Sequence, residues 1–329
     1  MNRSRFAALC RLLLGLAAAV AWAASHAQGF PLPNKPIRIV LPVGSGTPPD
    51  SIARLVATRL SAQLGVATIV ENKPGGGFVI GTMEVVRAAP DGHTLLFGSS
   101  STVAMLPHTV AKLPFDAFGD LTPVIYITRV PLVLASSVAA PFSTFAEFVA
   151  QARANPGKFN FGTQAVNTVF DITFEQIKQA AGINVAVIPH KTTTELVQGL
   201  LSGEVQLGFL GGGQAASLRK AGKLRLIAVA DRERMKILPD VPTFIDHGMP
   251  SVDLRGDFHL FGPAKMAPAL VERVNAAWQA ALKEPEVVQL CDTLGYPIVG
   301  GSAADSLAEL RSQNERWGQV VRALGIRPQ

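Results

Sequence analysis

The sequence predicts an α/β protein of two lobes that are joined by two crossover segments. Two observations support this fold class. Short apolar strands alternate with amphipathic helices over residues 37–98, and the alternation starts again after Pro141. The chain then closes with helical segments at 271–283, 285–294 and 303–324. The middle third therefore reads as a separate α/β unit inserted into the first.

The N-terminal unit contains three strands separated by two helices. The strands are expected at 37–41, 67–70 and 93–98. The first helix opens at Asp50 and stops at Gly65, because the apolar side chains between them fall on one face at helical spacing. The second helix is expected at 80–88. This order predicts a parallel sheet with helices on its faces.

The inserted unit follows the same pattern. Its helices are expected at 145–154, 170–181 and 194–201, and its strands at 159–161, 183–188, 205–209 and 224–229. We expect residues 28–128 with 252–329 to form the first lobe and residues 129–251 to form the second. The crossovers are expected near 128–131 and 250–254.

Residues 1–27 have the features of a secretory signal peptide. Arginines precede an apolar run at 12–24, and the small-x-small sequence Ser25-His26-Ala27 follows it. The run of about 13 residues is short for a bilayer span, so an uncleaved membrane anchor is the less favoured alternative. Cys10 precedes most of the run, which argues against a lipoprotein. We expect export, cleavage and a soluble mature chain.

The mature chain has little net charge and one cysteine. Without the three arginines of residues 1–27, 27 basic residues stand against 24 acidic ones, which gives a net charge of +3. No Lys/Arg cluster remains that would bind nucleic acid, and a slight positive balance suits an anionic ligand. Cys291 alone cannot form an intrachain disulfide, so the fold depends on its apolar core.

The loop between the first strand and the first helix is the leading candidate for a binding site. Gly44, Ser45, Gly46 and Thr47 offer backbone N–H and hydroxyl donors, and a helix N-terminus at Asp50 favours an anion. Polar loops at 71–77 and 99–102 follow the next two strands. Ligands of open α/β sheets gather at that edge. Ordinary turns are the plain alternative for each loop.

Other site chemistries find little support. Gly44, Gly46 and Glu71 imitate a dinucleotide site, but Pro49 stands where close helix packing needs a glycine. The five histidines of the mature chain are scattered, and no metal-binding or nucleophile-elbow motif occurs. Ser45 can be proposed as a nucleophile, but no spacing of His and Asp asks for it. We therefore expect no catalytic residue, no metal and no cofactor.

Several short segments together are typical of one protein family. They are PIRIVLP at 36–42, DSIAR at 50–54, ENKPG at 71–75, APDG at 89–92, NPGK at 155–158, AGKLR at 221–225 and LPDVPT at 238–243. On these segments the chain resembles the TctC-like, or Bug, receptors of tripartite tricarboxylate transporters over nearly its whole mature length. Each segment is weak alone, but their order and spacing are specific.

The resemblance implies a periplasmic binding protein of type II, whose two lobes close on a carboxylate. It also implies a membrane permease as partner, a monomeric receptor and no enzymatic activity. The ligand contacts that it implies are Gly44, Ser45, Gly46, Thr47, Asp50, Gly76, Gly77, Val79, Ser100, Ser101, Thr163, Asn167, Thr168, His190, Lys191, Thr192 and Leu210. Lys191 is the candidate for contact with a distal carboxylate.

The departures from the family pattern concern ligand choice. Many relatives have an acidic residue where this chain has Leu210, and that acid pairs with the ammonium of an amino acid. Where relatives often have an asparagine, Val79 offers no amide. An unpaired buried ammonium is costly, so we expect a carboxylate with a less polar body and not an amino acid. Ligand presentation to a membrane sensor, and a secreted hydrolase or lyase, are the alternative functions.

Overall fold

A computed structural model describes residues 29–163, 169–190, 192–250, 252 and 255–328, so the predicted signal peptide lies outside it. The strands are β1 (Ile37–Leu41), β2 (Thr68–Asn72), β3 (Thr94–Ser99), β4 (Leu121–Ser137), β5 (Asn160–Thr163), β6 (Ala186–Pro189), β7 (Leu207–Gly211), β8 (Leu224–Ala230), β9 (Arg255–Pro263) and β10 (Ile298–Gly300). The helices are α1 (Pro48–Leu64), α2 (Val79–Val86), α3 (Ser100–Ala104), α4 (Leu106–Thr109), α5 (Phe145–Ala154), α6 (Val169–Ala181), α7 (Thr193–Ser202), α8 (Gly212–Lys220), α9 (Pro268–Leu282), α10 (Pro285–Leu294) and α11 (Ala303–Ala323).

The strands form a mixed sheet in the order β2-β1-β3-β9-β4-β7-β5-β6, with β10 and β8 also paired to β4. The predicted parallel pairing of β1, β2 and β3 is confirmed. Strands β5, β6 and β7 form a second parallel group. Strands β9, β10 and the long β4, which the periodicity did not indicate, pair antiparallel.

Strand β4 connects the two halves of the sheet. Its residues 121–131 pair with β9, whereas its residues 132–137 pair with β7 and β8. The change of partners falls between Pro131 and Leu132. We infer from this change that the first lobe contains β1–β3, β9 and β10, and that the second contains β5–β8. Part of the other expected crossover, at 251, 253 and 254, lies outside the described residues.

Helix α1 shows how the sequence sets the elements around the first loop. It begins at Pro48, two residues earlier than expected, since proline is favourable in the first helical turn. Its buried face carries Ile52, Val56 and Leu60, which pack in the main apolar core. It ends as expected at Gly65, whose φ of +69° is the left-handed conformation that ends many helices.

Three predicted boundaries were wrong in ways that matter for the site. Glu71, expected in a loop, lies in β2, where its carboxylate accepts two hydrogen bonds from Arg38 of β1 (2.8 and 2.6 Å). Ser100, also expected in a loop, begins helix α3. Strand β7 starts two residues later than expected and includes Leu210, and α8 follows it without having been predicted.

Candidate functional site

The loop between β1 and α1 presents backbone N–H groups at the carboxyl edge of the first lobe. Within the described chain, the N–H groups of Gly44, Ser45 and Thr47 have no acceptor. The Thr47 hydroxyl donates to the Gly44 carbonyl (2.8 Å) and closes the turn. Gly46 has a φ of +79°, which a residue with a side chain adopts only with strain. A Cβ atom at Gly44 or Gly46 would meet no atom within 4 Å, so a ligand can approach the backbone there.

Asp50 holds this loop in place through hydrogen bonds of its buried carboxylate. Its carboxylate accepts hydrogen bonds from the Gly46 N–H (2.9 Å), the Asn72 side chain (2.9 Å) and Arg54 Nε (3.0 Å). Burial by itself raises the pKa of Asp50, but the hydrogen bonds from Arg54, Gly46 and Asn72 outweigh it and lower the pKa. The side chain of this expected ligand contact is 3% exposed and fully engaged. The structure thus gives Asp50 a role in holding the loop.

The N-terminus of α1 offers fewer donors than the sequence pattern indicated. Pro48 and Pro49 occupy its first two positions and have no N–H group. The Ser51 N–H donates to the Thr47 carbonyl (3.1 Å). Donors for an anion at this edge therefore come mainly from the loop itself and from the exposed Ser45 hydroxyl.

The second loop, between β2 and α2, is fixed to the first. Gly75, Gly76, Gly77 and Phe78 all have positive φ, a run that lets the chain turn sharply into α2. The Lys73 N–H donates to the Leu41 carbonyl (2.8 Å). Asn72 Nδ2 donates to the Val43 carbonyl (3.1 Å) and to Asp50, so one side chain connects both loops. Gly76 and Gly77 are exposed, and the side chain of Val79 is half-buried beside them.

The third expected segment, residues 99–102, is more deeply buried than the two loops. Ser99 caps α3, because its hydroxyl accepts the Ser101 N–H (3.2 Å). Ser100 and Ser101 are buried at the carboxyl end of β3. The three segments lie at the same edge because β1, β2 and β3 run parallel, as the sequence predicted.

In the second lobe, the ends of β5 and β6 lie side by side. The His190 N–H donates to the Thr163 carbonyl (2.7 Å), and His190 Nδ1 donates to the Ile188 carbonyl (3.1 Å). Thr163 is buried. The Thr192 hydroxyl caps α7 by accepting the Glu195 N–H (3.1 Å). Thus Thr163, His190 and Thr192 occupy one edge of this lobe.

Leu210 lies within the core of the second lobe. It pairs with Val133 across β4 and β7 and is 1% exposed. It belongs to an apolar cluster that includes Leu196 and Leu200 of α7. The remaining expected contacts, Asn167, Thr168 and Lys191, lie outside the described residues.

Charged groups at the strand crossing were missed by the sequence analysis. Arg129 of β4 pairs with Asp231 (3.4 Å) and Glu233 (3.7 Å) of the second lobe. Asp257 of β9 is opposite Arg129 in register and fully buried, and Gln313 of α11 donates to it. Single charged residues inside otherwise apolar runs are the signal that could have found them.

His259 adds a buried polar contact two residues further along β9. Its Nδ1 lies 2.8 Å from the Ser306 hydroxyl oxygen, and its ring stacks on Tyr126 with 4.2 Å between centroids. Burial lowers the pKa of His259 to about 3, so the ring is neutral at pH 7.

Two further findings concern only the described residues. They contain no group of three or more His, Cys, Asp or Glu side chains arranged to hold a metal ion. None of their helices combines the length and apolar character needed to cross a membrane.

Comparisons with known proteins identify the family. A family model described as "Tripartite tricarboxylate transporter family receptor" matches residues 52–326. Protein BugT of Bordetella pertussis is 28% identical over 328 residues, which are 99% of each chain. A Rhodopseudomonas palustris protein with malate, MatC, is similar in fold with a TM-score of 0.76 and 26% identity, over 88% of this chain and 100% of that one.

A second solved structure is similar to the same extent. An R. palustris protein with adipate gives a TM-score of 0.81 at 26% identity, over 90% of this chain and 99% of that one. The family consists of solute-binding receptors, so the protein is a receptor and not an enzyme. The order of the strands, the two-lobed sheet and the family match agree, and the chain belongs to the TctC, or Bug, family of tripartite tricarboxylate transporter receptors.

Proposed function

We propose that this receptor captures a small carboxylate in the periplasm, between its two lobes, and delivers it to a membrane permease of the tripartite tricarboxylate type. The observation that carries the proposal is the first loop, where the N–H groups of Gly44, Ser45 and Thr47 have no acceptor among the described residues. The space beside Gly44 and Gly46 is open. Unpaired backbone donors in a loop that Asp50 holds in place suit an oxyanion. The adipate and malate present in similar receptors support this ligand class.

The ligand is proposed to be a carboxylate with an aliphatic or aromatic body, and not an amino acid. Leu210 occupies the position at which many relatives have an acid, and it packs among apolar side chains. No carboxylate is therefore available at that position for an ammonium group. An ammonium buried there would lose its hydration without gaining a partner.

Lobe closure is the proposed binding mechanism. Residues 28–128 with 252–329 would move as one lobe and residues 129–251 as the other, about the strand crossing in β4. Closure excludes water and strengthens the hydrogen bonds of the first loop to the ligand. The contacts expected from the second lobe are Thr163, Asn167, Thr168, His190, Lys191 and Thr192.

Gly44→Ala tests the site. Its added methyl group meets no protein atom within 4 Å, so folding should be unaffected while the ligand loses its place on the loop. We expect calorimetry on the mature chain to show adipate or malate binding that weakens at least about tenfold, or 1.4 kcal/mol, in the variant.

Gly29→Ala is the matched control, because Gly29 also faces open space but precedes β1, outside the three loops. It should bind as the wild type does. Unchanged affinity in Gly44→Ala would contradict the site, and selective binding of glutamate or aspartate by the wild type would contradict the ligand class.

A further inference from the structure

Three consecutive glycines, Gly211, Gly212 and Gly213, form the junction between β7 and α8 in the second lobe. Two of them face the first lobe. A Cβ atom at Gly213 would lie 3.0 Å from the carbonyl oxygens of both Thr293 and Leu294, in the last turn of α10. A Cβ atom at Gly211 would lie 3.6 Å from the Tyr296 hydroxyl. The lobes thus approach each other at the level of the backbone.

Helix α10 is firmly part of the first lobe. It packs on α1, and Arg59 of α1 forms an ion pair with Glu286 in its first turn. Its C-terminal carbonyls meet the N-terminal turn of α8, so the negative end of one helix dipole faces the positive end of the other. This end-to-end arrangement is attractive, and only the missing side chain of Gly213 allows it to be so close.

The contact is reciprocal. Gly295 of the first lobe has positive φ, and a Cβ atom there would lie 2.6 Å from Ile237 Cδ1 and 2.7 Å from Met235 Cε of the second lobe. Met235 is buried, and its sulfur would be 2.8 Å from a Cβ atom at Gly212. The side chain of Met235 therefore lies between glycines of both lobes. We call Gly211–Gly213, Gly295 and Met235 the glycine contact.

The glycine contact lies beside the strand crossing. Pro297, two residues after Gly295, accepts hydrogen bonds from the Arg129 N–H (3.0 Å) and the Thr128 hydroxyl (2.9 Å) of β4. Because the contact lies close to the crossing, a small displacement there produces a larger displacement at the distant edges of the lobes. The same glycines follow Leu210 directly, at the carboxyl end of β7.

We propose that the glycine contact sets the angle between the lobes, and that Gly213 is thereby a positioning residue for ligand binding. A methyl group at 213 requires the two backbones to separate by a few tenths of an ångström, because it would meet carbonyl groups that cannot rotate away. The closed form then loses population, and the apparent affinity falls by the same factor. This inference rests on the proposed lobe closure.

The experiment measures the lobe angle without any ligand. Spin labels at Ile80→Cys and Thr194→Cys report the distance between the ligand-facing edges of the two lobes, and both positions are exposed. The native Cys291 is buried and should not react with the label. In unliganded protein we expect Gly213→Ala to lengthen the mean distance between the labels relative to wild type. Gln214→Ala, an exposed change at the next position of α8, should leave it unchanged.

A second variant and a binding readout complete the test. Met235→Ala removes the side chain between the lobes and should broaden the distance distribution, which keeps the proposal testable if Gly213→Ala does not fold. In unlabelled protein, adipate should bind Gly213→Ala about tenfold more weakly if the closed fraction falls tenfold. Distance distributions identical to those of Gln214→Ala in both variants would overturn the proposal. Failure of wild type to bind adipate, malate or any other carboxylate would instead count against the proposed function.

Discussion

Asp50 is a charged residue whose carboxylate makes its hydrogen bonds within the protein. A carboxylate beside the proposed anion site would repel the anion, but Arg54 and two further donors compensate its negative charge. The sequence analysis named Asp50 as a ligand contact, which stays a prediction, whereas the structure shows that its carboxylate holds the loop. A sequence pattern does not distinguish a residue that contacts the ligand from a buried residue that holds the binding loop through hydrogen bonds.

Asp50→Asn should destabilise the protein at neutral pH by about 1–3 kcal/mol, because a charge-assisted hydrogen-bond acceptor is lost from a buried site. The folded-state pKa is below the ordinary value of 3.8. The stabilisation is thus present above that ordinary value and is lost as the pH falls through the lower, folded-state pKa.

Urea unfolding at pH 7 and at pH 3 measures this difference. The exposed Asp292→Asn serves as control and should change little at either pH. A difference between wild type and Asp50→Asn that grows on acidification would contradict the assignment.

His259 gives the protein a pH dependence of the same sign as that of Asp50, but in a higher pH range. Its pKa of about 3 is below the ordinary 6.5, so below pH 6.5 the unfolded chain takes up a proton that the folded chain refuses. Stability should therefore fall by up to about 1.4 kcal/mol per pH unit from pH 6.5 downward. His259→Phe, which can still stack on Tyr126, should show a shallower fall between pH 7.0 and 5.5.

Gln214→Ala, which changes no titratable group, should keep the wild-type slope in the same denaturation series. Equal slopes for wild type and His259→Phe would mean that the imidazole is protonated in the fold.

At the scale of elements, the strand–loop–helix units were the most predictable part of the molecule. Helix α1, strands β1 and β3, and the glycine-rich turns follow from periodicity and from Gly65. Helix α3 and strand β10 are short, and β4 depends on pairing with strands that are far away in sequence. Local patterns contain no information on such pairing, which explains why these elements were missed.

The prolines at the start of α1 remove N–H donors from the helix end beside the first loop, and this effect can be tested. Pro48→Ala restores an N–H group at the first helical position next to the loop. If the ligand carboxylate lies there, one added hydrogen bond to a charged group, about 1.5–3 kcal/mol, should tighten adipate or malate binding about tenfold or more.

Pro268→Ala is the matched control, since Pro268 is also exposed and also begins a helix, α9. Calorimetry should show unchanged affinity for it. Equal affinities of Pro48→Ala and wild type would place the carboxylate away from the helix end.

At the scale of the whole molecule, the two-lobed architecture was predictable and the contacts between the lobes were not. The restart of the α/β pattern after Pro141 and the C-terminal return are visible in the sequence. Arg129 is opposite Asp257 only because β4 and β9, which are distant in sequence, pair with each other. Gly213 and Gly295 likewise contact residues that are distant in sequence. Their importance is a property of the assembled fold, and no spacing along the chain indicates it.

Strand β4 and its partners also determine when, during synthesis of the chain, the first lobe can be completed. Strand β3 is bordered on one side by β9, and α11 covers β4, so the first lobe cannot be completed before nearly the entire chain has been made. A ribosome-bound chain that ends before residue 255 must keep the edge of β3 unpaired. Folding of the first lobe that waits for the last quarter of the sequence leaves a newly synthesised chain unfolded for longer.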